Sequence, residues 1–373
     1  MKKNKETQEK PKGKLRFKIL RIILILFIIG VISGLTLLYG PWHGFRDWLI
    51  TTAMTTLSHQ WMATTFYSED TINKVLDNNQ VIESGESTDT KEVEIVAVLE
   101  DEYENEYEEA ILKKDEGNDL YKVIEISGKG YTGHLVAIYD PSTISLCSTK
   151  YLGTKGQYLV DMAKDNNAVV AINGGGFIDP NYNSLGGVPQ GIVIKDGKVI
   201  SNKSYTKSGG IIGFTNENKL ILGKMTAKEA LNKGVRDAVS FGPFLIVNGK
   251  ASFIKGNGGW GTAPRSAIGQ RKDGIVLFLV IDGRMIGRPG ADMVDLTEIM
   301  QRYGAYNAAN LDGGTSCGLV VEGKLINDPV NGNGKHKTRM IATGFMVKAK
   351  EENESTVSNS VSNTTNTIKV NSK

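Results

Sequence analysis

Cysteine, histidine and proline are scarce in this chain of 373 residues, which holds two, four and nine of them. Two cysteines, Cys147 and Cys317, exclude a disulfide scaffold and a multi-cysteine zinc site. One disulfide or two buried thiols remain, and buried thiols are the simpler reading. Only His134 and His336 fall in the folded region, neither at metal-ligand spacing nor beside a cysteine. His134, in TGHLVAIY, reads as a strand residue at a sheet edge. No G-x-S-x-G elbow occurs, which argues against a serine hydrolase of that kind. Basic residues are dispersed and no RNA-recognition motif appears, so nucleic acid is not an expected partner. Glycine, by contrast, is plentiful. Its 43 copies gather in short clusters of the sort that mark tight turns and close backbone approach.

The net charge of +3 averages a basic head, an acidic middle and a mixed remainder. Lysines and arginines crowd residues 1–21, and Ile22–Tyr39 then runs without a charge, long enough to span a bilayer. A transmembrane anchor over 22–41 is expected, with the N-terminus cytoplasmic and the remainder outside the cell, at the membrane of a single-pass protein. A cleaved signal peptide fits less well, because no small-x-small site follows the run. Trp42, Trp48 and Trp61 then mark residues 42–81 as an aromatic segment, either interfacial or a helical stalk. Residues 82–119, dense in DEYENEYEEA, read as an acidic stalk, and residues 351–373 as a disordered tail.

Residues 120–350 read as one folded domain. YKVIEIS, HLVAIYD, AVVAIN and GIVLFLVIDG carry strong strand signals, and Asp196-Gly197, Asn248-Gly249, Asp273-Gly274 and Glu322-Gly323 carry hairpin signals. Helical periodicity appears at 156–166, 226–233 and 294–303, the last with Leu296, Ile299, Met300 and Tyr303 on one stripe. The expected class is α+β: a single mixed, hairpin-rich sheet domain with a few helices, preceded by the transmembrane helix.

Four clusters stand at strand ends. AINGGGF (171–177) offers Asn173 and exposed backbone N–H groups, but lacks the lysine and helix of a P-loop. PRSAIGQ (264–270) presents Arg265, whose planar fork suits phosphate or carboxylate. IDGR (281–284) ends the most hydrophobic strand with Asp282 and Arg284. NLDGGTS (310–316) packs Asn310, Asp312, Thr315 and Ser316 around a Gly-Gly pivot. Singly, the first three are ordinary turns or ion pairs. The fourth is too dense in polar groups for that, since each would need its own partner if buried.

In this order and spacing the four clusters resemble the phosphodiester glycosidase family, which takes in N-acetylglucosamine-1-phosphodiester alpha-N-acetylglucosaminidases and bacterial exopolysaccharide-associated proteins. The resemblance covers about residues 131–347. It implies a site of Asn173, Gly174, Arg265, Asp282, Arg284, Asn310, Asp312, Gly313, Gly314 and Ser316, with Arg339 as the basic residue before the last strand. Ser266, Gly176 and Thr315 depart slightly from the family pattern and bear on substrate choice. The implied reaction is hydrolysis of a sugar-1-phosphodiester at the anomeric carbon, on a cell-surface glycan or its precursor. Its leaving group is a phosphomonoester, which needs little protonation but needs its charge stabilised, as Arg265 with Arg284 or Arg339 can do. Asp312 and Asp282 are the catalytic candidates, Asp312 as nucleophile or general base, and the division of roles stays open. No cofactor is required, although hard carboxylate ligands would also suit a divalent cation. Two other readings remain: a catalytically silent carbohydrate-binding or scaffold module in exopolysaccharide or teichoic-acid assembly, and a phosphodiesterase that cleaves P–O.

Overall fold

The computed structural model describes residues 12–56, 59–96, 103–179, 185–203, 209–331 and 334–349. The first half of the basic head and the Ser/Thr/Asn-rich tail therefore lie outside the described residues. The chain forms two compact units, Met1–Gln80 with Ile254–Thr262 and Val81–Phe253 with Ala263–Lys373.

In the first unit a helix covers Lys12–Tyr39, and its stretch Arg16–Tyr39 has a mean hydropathy of 2.7 with no buried share. At about 1.5 Å per residue it is long enough, and by composition apolar enough, to cross a membrane. Shorter helices follow at His43–Met54, Trp61–Thr64 and Glu69–Asn78. Ser68 caps the last of these by accepting the Thr71 N–H at 3.3 Å, and Glu69 and Asp70 complement the helix N-terminus. Ile50, Ala53, Ala63, Ile72 and Val75 bury a small core, with Leu38 and Phe45 packed on it. Trp42 and Trp61 point outward, 56% and 58% exposed. The glycine-rich stretch 254–262 joins this unit from far along the chain. Asn257 donates to Thr51 Oγ1 at 2.8 Å, and its own N–H reaches Asn79 Oδ1 at 3.0 Å.

The second unit is the α+β, hairpin-rich domain expected, and its strands divide into three principal antiparallel sheets. The seven-stranded sheet runs in the order 250–251, 244–247, 305–311, 265–271, 276–281, 131–138 and 121–128. A five-stranded sheet runs 324–325, 319–321, 168–173, 343–348 and 144–148; another runs 220–223, 210–215, 235–241, 192–195 and 198–202. Three expected hairpins close through two-residue turns with positive φ at both positions: Asp196-Gly197, Asn248-Gly249 and Glu322-Gly323. That conformation matches the right-handed twist of the flanking strands and suits Asx-Gly pairs. Asp273-Gly274 sits instead in a longer turn, with only Gly274 at positive φ.

The helix Met293–Arg302 packs on the seven-stranded sheet through Leu296, Ile299 and Met300, all fully buried, as their spacing predicts. Asp292 and Asp295 form a capping box at its start. His134 is not at an edge. Its strand lies between 121–128 and 276–281, and His134 pairs with Val280 and Glu125, because YKVIEIS folds back as a hairpin and covers that side.

The acidic stretch expected as a stalk is packed into this unit over its described residues. Thr88 donates its N–H to Leu222 O at 2.9 Å, Val93 is fully buried, and the Glu94 N–H reaches Lys272 O at 2.8 Å. Glu106–Leu112 forms a helix, capped by Asn105 and carrying three glutamates in its first turn. Acidic side chains there complement the helix dipole rather than repel one another into solvent. Ile111 is fully buried beneath it, and Tyr107 meets the Tyr303 ring edge-on at 5.3 Å.

Candidate active site

Three neighbouring strands of the seven-stranded sheet bring the chemistry to one end. Val276–Ile281 is wholly apolar and buried, and runs straight into Asp282. Ala305–Leu311 runs into Asp312, and Arg265–Arg271 begins between them. The register pairs Arg265 with Ile281 and Ser266 with Leu311. Asp282, Arg265 and Asp312 therefore emerge side by side, the two aspartate backbones roughly 10 Å apart at two strand spacings.

Asn173, ending a strand of the five-stranded sheet, ties the first cluster to the last. Its Oδ1 accepts from Ser266 Oγ at 2.7 Å and from the Gly318 N–H at 3.1 Å, while its Nδ2 donates to Asp312 O at 2.7 Å. Gly174 closes the junction: its carbonyl accepts the Asp312 N–H at 3.1 Å, and a Cβ there would lie 2.7 Å from Thr343 Oγ1.

The structure brings the expected residues together but sorts them by access. Asn173, Asn310 and Ser316 are 1%, 0% and 3% exposed. Asn310 donates through Nδ2 to Gly242 O at 2.8 Å, and its Oδ1 is buried without a partner among the described residues. Asp312, Gly313, Gly314 and Arg339 are half-buried, and Arg284 is exposed. The most exposed part of the site is thus the Asp312 carboxylate, a glycine pair and guanidinium groups.

Asp312 accepts the Gly313 N–H on Oδ1 at 3.0 Å. The Arg265 guanidinium lies against Gly313, where a Cβ would come 3.4 Å from Nη1. Burial pushes Arg265 down to about 10, with Cys317 opposing and Arg284 adding to the shift, so it stays cationic at neutral pH. Arg284 stands at φ 61°, an uncommon conformation for a side chain of its size, and donates to Thr315 Oγ1 at 3.1 Å. Its Nη2 would meet a Cβ on Gly314 at 2.9 Å, so glycine is needed for the guanidinium to lie on the loop. No carboxylate pairs with Arg284 among the described residues. Arg339 differs. It pairs with Asp179 and stacks over Phe177 at 4.4 Å, while its backbone N–H reaches Thr315 O at 3.2 Å.

Asp282 is 6% exposed. Its Oδ1 accepts from Asn327 Nδ2 at 3.2 Å and from the Asp328 N–H at 2.9 Å. Burial raises its pKa, and those two donors oppose the rise. Asn327, Asp179 and Phe177 adjoin these residues without having been singled out for the site. Asp179 sits directly beyond the first glycine run, a position that could have signalled it; Asn327 lies in an unremarkable loop. Cys147 and Cys317 are both free and buried, and burial pushes each thiol up to about 12. Among the described residues, no group of three or more His, Cys, Asp and Glu side chains is arranged to hold a metal ion. At Asp282 a cation would have to compete with two N–H donors for Oδ1.

In this antiparallel α+β domain, carboxylates and guanidinium groups thus converge on one glycine-rich loop. Residues 166–348 match the phosphodiester glycosidase family, whose members are glycosidases acting on phosphodiester-linked sugars. The SPbeta prophage-derived uncharacterized protein YomE of Bacillus subtilis (strain 168) is 32% identical over 195 residues, covering 50% of this chain and 29% of that protein. The mouse N-acetylglucosamine-1-phosphodiester alpha-N-acetylglucosaminidase is 25% identical over 237 residues, covering 56% of this chain and 43% of the enzyme. The chain thus spans less than half the length of these relatives. The zebrafish enzyme of that name, solved as a catalytic domain auto-inhibited by its pro-peptide, shares the fold at a TM-score of 0.53 and 20% identity. That match covers 64% of this chain and 86% of the zebrafish chain.

Proposed function

We propose that this protein hydrolyses sugar-1-phosphodiesters at the anomeric carbon, releasing sugar from glycans or glycan precursors at the outer face of a membrane that the N-terminal helix spans. The observation that carries the reading is Arg284, exposed, outside every carboxylate ion pair among the described residues, and laid over the glycine pair next to Asp312. A cation so placed suits the phosphate of the leaving group, and buried Arg265 adds a second positive charge beneath it. Asp312, half-buried and oriented by the Gly313 N–H, is the nucleophile or base at the anomeric carbon. Asp282 holds its proton to higher pH than an ordinary carboxylate and acts as the second acid/base group through Oδ2. Asn173, Asn310 and Ser316 hold the loop in shape and do not contact the sugar. The basic flank keeps the N-terminus cytoplasmic and puts the domain outside.

The test is release of free sugar, detected by mass, when the full-length protein in detergent is incubated with an N-acetylglucosamine-1-phosphodiester. Release by the native chain and none by Asp312→Asn supports the assignment. Solvent ¹⁸O entering the phosphate instead of the sugar would overturn cleavage at carbon. Unchanged turnover in both Asp312→Asn and Asp282→Asn would overturn the catalytic pair.

A further inference from the structure

A groove outside the catalytic loop carries chemistry that the reaction at the anomeric carbon leaves unused. Two adjoining cavities of about 410 and 480 Å³ share Lys150, Gln157 and Asp165 in their walls. Neither is lined by Asp282 or Asp312. Lys155 and Lys164 line the first and Lys195 the second, so with Lys150 four lysines face two carboxylates, Asp161 and Asp165. Asp165 is already engaged: it accepts from Lys150 Nζ at 3.1 Å and from Gln157 Nε2 at 2.9 Å. The groove is therefore cationic on balance. It also has rings. Tyr151 and Tyr158 are 47% and 42% exposed, with Lys150 Nζ over the Tyr151 ring at 5.6 Å. Aromatic faces pack against the C–H faces of sugars, while ammonium groups attract phosphate.

Residues 339–343 connect the groove wall to the catalytic loops. Arg339 donates its N–H to Thr315 O at 3.2 Å, and Gly174 donates to Thr343 O at 2.9 Å, so both ends of this strap touch the catalytic loops. Its middle belongs to the groove: Met340 lines it, and Ile341 exchanges backbone hydrogen bonds of 2.9 and 3.1 Å with Gln157. The strap therefore lies between the catalytic loops and the lysine- and tyrosine-lined groove.

We infer that this groove binds further repeats of an anionic glycan polymer whose sugars are joined by phosphodiesters, with the terminal bond held at Asp312. The inference rests on the proposed reaction for the nature of the repeat, and it adds that the substrate is a polymer and not a single sugar phosphodiester. The variant Tyr151→Ala/Lys155→Glu/Lys164→Glu changes three exposed side chains outside the catalytic loop, and its melting temperature is checked against the parent. Binding of a fluorescent oligomer of poly(N-acetylglucosamine 1-phosphate) is measured on the full chain carrying Asp312→Asn, with and without the three changes. Turnover of a single-repeat phosphodiester is measured with Asp312 intact. The groove variant is expected to bind the oligomer at least tenfold more weakly, with a shallower salt dependence, and to turn over the single repeat as the parent does. Unchanged oligomer affinity, or no binding by the parent, overturns the inference while leaving any single-repeat turnover to support the reaction. Equally tight binding of inorganic polyphosphate also overturns it, by reducing the groove to a charge patch without a sugar site. Groove-dependent oligomer binding without sugar release by the native chain retains the groove and removes the proposed reaction.

Discussion

Asp282 and Asp312 occupy different surroundings, and the contrast sets their expected behaviour. Asp282→Asn should remove the limb of the pH–rate profile that lies just above the ordinary carboxylate range, because burial keeps its proton on at higher pH. Arg284→Ala should weaken substrate capture by about 10- to 100-fold in kcat/KM, the worth of roughly 1.5–3 kcal/mol for hydrogen bonds to a charged group. Steady-state kinetics on a sugar phosphodiester checks both; a loss confined to folding, seen as a lowered melting temperature with normal kcat/KM, would remove Arg284 from the site. Asp295 gives a test of stability. Burial raises its carboxyl to about 6, above its ordinary 3.8, so the folded state holds more protons than the unfolded state between those values. Stability should therefore fall as pH rises from about 4 to about 6, and Asp295→Asn should flatten that fall in melting scans. NLDGGTS reads as a candidate site because so many polar groups in one loop need partners. What the letters could not separate was partner from ligand: Asn173 looks equally able to bind sugar, yet three protein bonds already engage it. Replacing it by alanine leaves Ser266 Oγ and the Gly318 N–H unpaired in the interior, an expected loss of about 2–4 kcal/mol in denaturant unfolding.

Among elements, turns were more readable than the chain leading into the domain. Asx-Gly turn chemistry is local, so Asp196-Gly197 and Asn248-Gly249 announce hairpins without knowledge of the rest. The acidic run is the opposite case. Its charges argue for solvent, yet the cap at Asn105, hydrogen bonds from Thr88 and Glu94, and the apolar residues Val93 and Ile111 hold it down. Both are fully buried, and Ile111→Ala should cost about 2–5 kcal/mol if the helix Glu106–Leu112 is part of the cooperative fold. A chain beginning at Leu120 should melt well below one beginning at Val81. Equal melting temperatures would mean that the acidic segment is only a tether. The division into three sheets was hidden for a similar reason, since strand signals name strands but not their neighbours across the sequence.

For the whole molecule, the helix Arg16–Tyr39 is long and apolar enough to be a membrane span or a signal sequence, and the proposed anchoring can be tested directly. The full chain should stay in the membrane pellet after alkaline carbonate extraction, and a protease added outside intact cells should reach the folded domain. Release into the supernatant would favour a cleaved leader.

The stretch 254–262 has a consequence for shedding. Because it belongs with Met1–Gln80, the backbone passes between the two units three times, after residues 80, 253 and 262. A single proteolytic nick after residue 80 therefore leaves the domain still covalently joined to a nine-residue loop whose Asn257 hydrogen-bonds Thr51 and Asn79. Under the proposed anchoring, one cut does not free the domain, and a soluble form would come from extracting the loop as well as cutting the chain.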